Sequence, residues 1–211
     1  MTFLERKPDE GVIGEQHPWD PYSDQPRIIE DKVYKKQMKR RHLKDYLLTF
    51  LTSCLIFPIA LIAWLFNRKT ESLNRNFFSL CVNLDKGDEQ YQLVEELGCH
   101  SVQIRFFLSE MYRLDEYYRF VEGVKGKQIL LVVVQSRKHI DDSVLLARDI
   151  YRVFEKFSPC VQQFQIGTTI NRSKWGFFSV AEYLRFYKTV QNVRDKSFST
   201  LSLLGPSVID F

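Results

Sequence analysis

Between residues 46 and 66 the chain reads YLLTFLTSCLIFPIALIAWLF, 21 positions with no charge and only Thr49, Thr52 and Ser53 as polar interruptions. About 20 apolar residues cover the hydrocarbon core of a bilayer, so this run predicts a transmembrane helix. Tyr46 and Trp64 stand near its ends, where amphipathic rings favour the headgroup zone. Pro58 would break a soluble helix but is tolerated in a membrane span. A buried core helix is the competing interpretation, and the length of the uncharged run argues against it. The 45 residues that precede the run do not resemble the short basic n-region of a cleavable signal peptide, so an uncleaved anchor is expected.

Beyond the apolar run the rhythm changes to short β-branched or alternating segments separated by helical ones. Strands are predicted over 77–84, 101–108, 128–135, 161–167 and 200–211, and helices over 88–98, 109–123, 141–157 and 179–193. QILLVVVQ (128–135) is a continuous apolar run of the sort buried on both faces of a parallel sheet. Ser109 is a candidate N-cap, with Met111, Leu114, Tyr118 and Val121 on one face of the helix that follows. Ser179-x-x-Glu182 has the form of a capping box. The order β-α-β-α-β-α-β-α-β argues a parallel α/β sheet, compatible with a doubly wound sheet or a (β/α)8 barrel. VNLDKGDEQ after the first strand holds a single glycine, so a dinucleotide-binding loop finds no support.

Charge sorts the remainder. Residues 1–75 carry 13 Lys/Arg against 10 Asp/Glu, and residues 76–211 carry 17 against 16. The distal part is nearly neutral, which gives nucleic-acid binding no basis there. Residues 1–30 are Pro-, Gly- and acid-rich and read as a disordered cytoplasmic tail, and 31–45 as a basic juxtamembrane helix lying against anionic headgroups. Residues 67–76 read as a linker. Seven Lys/Arg occupy the 15 positions before the apolar run and three the 15 after it, so the positive-inside bias places the N-terminus in the cytoplasm and residues 67–211 across the membrane. A bacterial inner membrane, with the distal domain outside the cytoplasm, is the expected setting. Cys81, Cys99 and Cys160 follow no disulfide or metal spacing, and neither a cofactor nor a metal is expected.

FQIGTTINRSKWGF (164–177) and LLGPSVIDF (203–211) resemble the fourth and fifth strands of the (β/α)8-barrel glycoside hydrolases that carry paired carboxylates on strands four and seven. The resemblance covers roughly residues 77–211 and implies a fold of class α/β: a partial (β/α) TIM-type barrel of about five strands, preceded by one transmembrane helix. In that clan the fourth strand ends in Asn-Glu, the Glu being the acid/base. Here Thr168 takes the Asn position and Thr169 the Glu position, and Arg105 is similar in placement to a strand-two arginine of the clan.

Strand alternation independently turns Gln163, Gln165 and Thr169 to the interior, and Gln103 and Arg105 likewise on the second strand. Asp85 and Gln135 end the first and third strands at the same mouth. With Asn171, Arg172 and Trp175 of the following loop, these make Asp85, Arg105, Gln135, Thr168, Thr169, Asn171, Arg172 and Trp175 the candidate binding residues, for a glycan held by stacking and hydrogen bonds. A threonine hydroxyl does not donate a proton near neutral pH as a Glu of raised pKa does, and no strand-seven carboxylate is present, so hydrolysis by the paired-carboxylate route is not expected.

Three functions follow as expectations. One is a catalytically inactive or truncated, membrane-anchored glycosidase-like protein with a glycan-binding or envelope polysaccharide role. The second is an interaction protein acting through its basic N-terminal region. The third is half of a glycosidase completed by another chain. Open edges on the first and fifth strands invite a partner chain or self-association, and truncation relative to complete barrels is the favoured explanation of those edges.

Overall fold

A computed structural model of the 211-residue chain describes residue 29 and residues 31–66 and 78–208. The tail expected over 1–30 and the linker expected over 67–76 therefore lie outside the described residues, Ile29 excepted.

The N-terminal flank forms two helices, α1 (Lys32–Arg41) and α2 (Leu43–Phe66), parted at His42. Asp31 caps α1, its carboxylate accepting the amides of Val33 (2.7 Å) and Tyr34 (3.1 Å). α2 is long and apolar enough to cross a membrane, and none of its residues is buried by the rest of the chain. A core helix would be covered by its own domain; this one is not. It runs three residues further toward the N-terminus than the predicted span, so Lys44 and Asp45 belong to it.

The distal part is a mixed α/β unit around one five-stranded parallel sheet. Strands β1 (Ser79–Val82), β2 (Ser101–Phe107), β3 (Gln128–Val134), β4 (Gln163–Ile166) and β5 (Ser202–Leu204) stand in the order of the chain. That order lacks the reversal that defines the switch point of a doubly wound sheet. Helices α3 (Glu89–Glu96), α4 (Leu114–Gly123), α6 (Ser143–Phe157) and α7 (Val180–Ser197) connect the strands, and a five-residue helix α5 (Arg137–Asp141) sits between β3 and α6.

Period-two alternation explains which face is covered. Val102, Ile104 and Phe106 on β2 register with Ile129, Leu131 and Val133 on β3, and Leu131 and Val133 with Phe164 and Ile166 on β4; all are buried. Phe106 packs edge-on against Tyr117 of α4 and Phe157 of α6, and Phe164 against Phe154 of α6. Each such ring contributes about 1.5–3 kcal/mol of burial. The opposite face is only partly covered: Gln103, Arg105, Leu130 and Gln165 are half-buried, and Cys81 and Leu204 are exposed.

Several element ends depart from expectation for identifiable reasons. Ser109 caps nothing; Leu108–Arg113 is a 3-10 segment in which Glu110 leaves helical geometry and turns its carboxylate inward. The apolar face of α4 is consequently Leu114, Tyr117, Phe120 and Val121, with Met111 and Tyr118 at its margin. β5 spans three residues rather than the predicted twelve, because Gly205 and Pro206 interrupt the ladder and proline has no amide to donate.

Candidate functional site

Loops at the C-terminal ends of the strands hold most of the predicted site residues, but in separate groups. β4 ends at Ile166, and Gly167 (φ +80) and Thr169 (φ +51) both adopt left-handed backbone. Strand geometry therefore ends before Thr168 and Thr169, and both side chains are buried. A β-branched residue at positive φ is an outlier that costs about 1–3 kcal/mol and persists only where its surroundings over-determine it.

The surroundings here are specific. Gln135, 2 % exposed, follows β3 and works as a two-sided clip. Its Nε2 donates to the carbonyls of Thr168 and Trp175, both at 2.8 Å, and its Oε1 accepts the Thr168 amide at 3.0 Å. Beyond β5, Ser207 Oγ lies 2.8 Å from Thr168 Oγ1 and accepts the Thr169 amide at 3.3 Å. Gln135, Thr168, Thr169 and Trp175 are thus brought together, as the inner wall of a closed loop. Trp175 is 3 % exposed, so its ring packs in the core and offers no stacking face. Asn171 is exposed and Arg172 half-buried in the same loop.

Asp85 takes part in a second set of contacts. Asp85, in the 3-10 turn after β1, accepts from Arg113 Nη1 at 3.1 Å. Arg113 also bonds Glu110 (3.2 Å) and Glu116 (3.0 Å), and the Tyr117 hydroxyl donates to Glu110 at 2.8 Å. Burial alone would lower the Arg113 pKa, but the three carboxylates hold it above its usual range. The Tyr117 phenol is pushed well above its ordinary value, by burial first and then by Glu110. Arg105 stands on the partly covered sheet face, in register with Val132.

Two further buried polar groups escaped the sequence. Arg137 of α5 clamps Glu182 of α7 with Nη1 at 3.0 Å and Nη2 at 2.7 Å, donates to the Gly176 carbonyl at 2.8 Å, and bonds Asp141 through Nε at 2.9 Å. Burial alone would lower its pKa, but Glu182 and Asp141 raise it above the usual range. Glu182 also accepts the Phe178 amide at 2.8 Å, so it reaches past Ser179 instead of closing the expected box, while Ser179 Oγ accepts the Glu182 amide at 3.2 Å.

The second group is Ser136, His139 and Asp149, with Ser136 Oγ 2.8 Å from His139 Nδ1 and His139 Nε2 3.0 Å from Asp149 Oδ2. The residue types are those of a hydrolase triad. However, Ser136 is 1 % exposed and meets Nδ1 within one helical turn, where no substrate carbonyl reaches it. With Nε2–H given to Asp149, Nδ1 accepts the Ser136 hydroxyl, and the neutral ring satisfies both neighbours. Ser136-x-x-His139 was the only local hint; the pairings to Asp149 and Glu182 span 10 and 45 residues.

No protein-family model, no curated protein and no solved structure matches the chain. Among the described residues no group of three or more His, Cys, Asp or Glu is placed to share a metal ion. The carboxylates nearest the strand ends, Asp85, Glu110 and Glu182, are each engaged by arginine.

Proposed function

We propose that the chain is a membrane-anchored, glycoside-hydrolase-like partial barrel that binds a ligand at its strand ends and does not hydrolyse it; the resemblance makes a glycan the expected ligand. The observation that carries this is the tip of β4. Thr169 stands where the resemblance puts the acid/base, it is 2 % exposed, and the clip formed by Gln135 and Ser207 fixes it in a left-handed conformation. Strained backbone held this firmly is a mark of functional sites, while the missing carboxylate removes the proton donor. The sequential parallel sheet with one partly covered face is compatible with a partial barrel.

Binding groups then come from the accessible members, Arg105, Asn171 and Arg172, rather than from the buried Trp175. A glycan array tests this. Binding lost in Arg172→Ala and Arg105→Ala, with hydrolysis of chromogenic glycosides absent throughout, is the expected result; no binding to any glycan overturns the proposal. Trp175→Ala is uninformative, because removing a core ring unfolds the loop.

A second proposal, interaction through the basic N-terminal region, is favoured by α1. Lys32, Lys36, Lys39, Arg40, Arg41 and Lys44 are exposed around the edge by which this flank packs on the α/β domain. Such a cluster suits an anionic membrane surface, each cation adding about 1 kcal/mol near it. Flotation on phosphatidylserine vesicles should exceed that on neutral vesicles, and Lys36→Gln with Lys39→Gln and Arg40→Gln should abolish the difference. An N-terminus on the cytoplasmic face remains the proposed orientation of the spanning form, on the charge bias alone.

A further inference from the structure

The segment before α2 packs on the domain after it. The Ile29 amide donates to the Lys174 carbonyl at 3.0 Å, and Ile29 is buried. Tyr34, Met38 and His42 recur every four residues and so form one ridge along α1. Tyr34 meets the Phe178 ring edge-on with centroids 5.9 Å apart, Met38 is buried, and His42 Nε2 lies 3.2 Å from Glu182 Oε1. The same His42 places Nδ1 2.9 Å from Asp45 Oδ2, at the start of α2. Glu182 is the carboxylate clamped by Arg137, whose guanidinium also lies over the Phe178 ring at 5.5 Å. The ridge thus seats on a patch where Glu182 is already held by Arg137 and by the Phe178 amide.

This packing constrains membrane topology by counting crossings. One crossing by α2 puts α1 and the α/β domain on opposite sides, separated by a hydrocarbon core of about 30 Å. Residues 67–77 supply no return crossing, since four of their 11 positions are charged. We infer that α1 is a latch: docked on the α/β domain it holds the chain in a form whose α2 does not cross a bilayer, and crossing requires the ridge to leave Phe178 and Glu182. The latch includes the Ile29–Lys174 backbone hydrogen bond, the Tyr34–Phe178 ring pair, the contact of His42 with Glu182 and the buried side chains of Ile29 and Met38. Against it stands a 24-residue apolar helix with no residue buried. A bilayer therefore pulls the equilibrium to the released form, and the docked form belongs to the chain before insertion.

The test uses the full chain with Cys54, Cys81, Cys99 and Cys160 replaced by serine and the pair Tyr34→Cys, Phe178→Cys added. Made by membrane-free translation, it should cross-link with a short bifunctional maleimide. In the alkaline-carbonate-resistant fraction after addition of phospholipid vesicles, the cross-link should fall at least tenfold. A cross-link retained in carbonate-resistant protein overturns the inference, as does its absence before vesicles are added. Independently, Tyr34→Ala with His42→Ala, which leaves the Arg137–Glu182 pair intact, should speed insertion into the same vesicles several-fold. An unchanged insertion rate also overturns it.

Discussion

Two residues set the geometry of the β4 tip, and each makes a separate prediction. Gly167 needs φ +80, and a Cβ there would meet Tyr183 Cε2 at 3.2 Å. Gly167→Ala should cost about 1–2 kcal/mol from the left-handed backbone alone, read as a lower urea midpoint. Gln135→Ala removes three hydrogen bonds from a buried loop, and each orphaned group costs about 1–3 kcal/mol. It should therefore destabilise more than Gly167→Ala, and a smaller effect would show that the clip does not hold the loop. His139 and Asp149 add a pH dependence. Burial holds the His139 ring below its usual value, with the Asp149 hydrogen bond opposing only in part. Burial pushes the Asp149 carboxyl up, but hydrogen bonds from Arg148 and His139 outweigh this and hold it below the usual range. Both groups take up protons more readily in the unfolded chain. Their stabilisation is then complete above the unfolded histidine value of about 6.5 and is lost as pH falls, first through histidine and then through aspartate. Urea midpoints between neutral pH and pH about 4 should decline, and Asp149→Asn should flatten the more acidic part of that decline.

At the scale of elements, local signals were legible and long-range ones were not. Ser179 caps α7 and Asp142 caps α6, the latter accepting the amides of Val144 and Leu145 at 2.9 Å. The Ser179 cap follows from residue type before an apolar run, whereas Asp142 lies inside the helix predicted over 141–157. Asp142→Ala should accordingly cost about 1 kcal/mol, and a change within error would show that the cap is redundant. The buried faces of β2 and β4 were likewise visible as alternation, and β3 as a continuous apolar run. Ser109 misled because Glu110, buried beside Arg113 and Tyr117, dictates a 3-10 entry to α4, and Arg113 takes a further partner, Asp85, 28 residues back. α5 is five residues long and too short to leave a periodic trace. In the candidate site, the sequence brought Thr168, Thr169, Gln135 and Trp175 to one place. It did not show that they close on one another, because that depends on where strand geometry ends at Gly167.

For the whole molecule, the governing balance is between an α/β unit satisfied by its own contacts and an apolar helix that is not. α4, α6 and α7 cover one sheet face, and the arginine clamps neutralise the buried carboxylates, so this unit asks little of its surroundings. α2 buries no residue against it and, unlike α6 and α7 among the described residues, has no polar face to turn to water. The bilayer is the medium that satisfies such a helix, with its backbone bonded internally. Charge at its middle should therefore undo attachment without touching the α/β unit. Lysine at the centre of a spanning helix costs about 2.5–3.5 kcal/mol, so Ile56→Lys with Ile59→Lys opposes insertion by about 5–7 kcal/mol. The double variant should move from the carbonate-resistant to the extractable fraction while its urea midpoint stays within error of the parent. If it stays carbonate-resistant, the insertion does not depend on an uncharged centre of α2, and the assignment of α2 as the membrane-crossing helix fails.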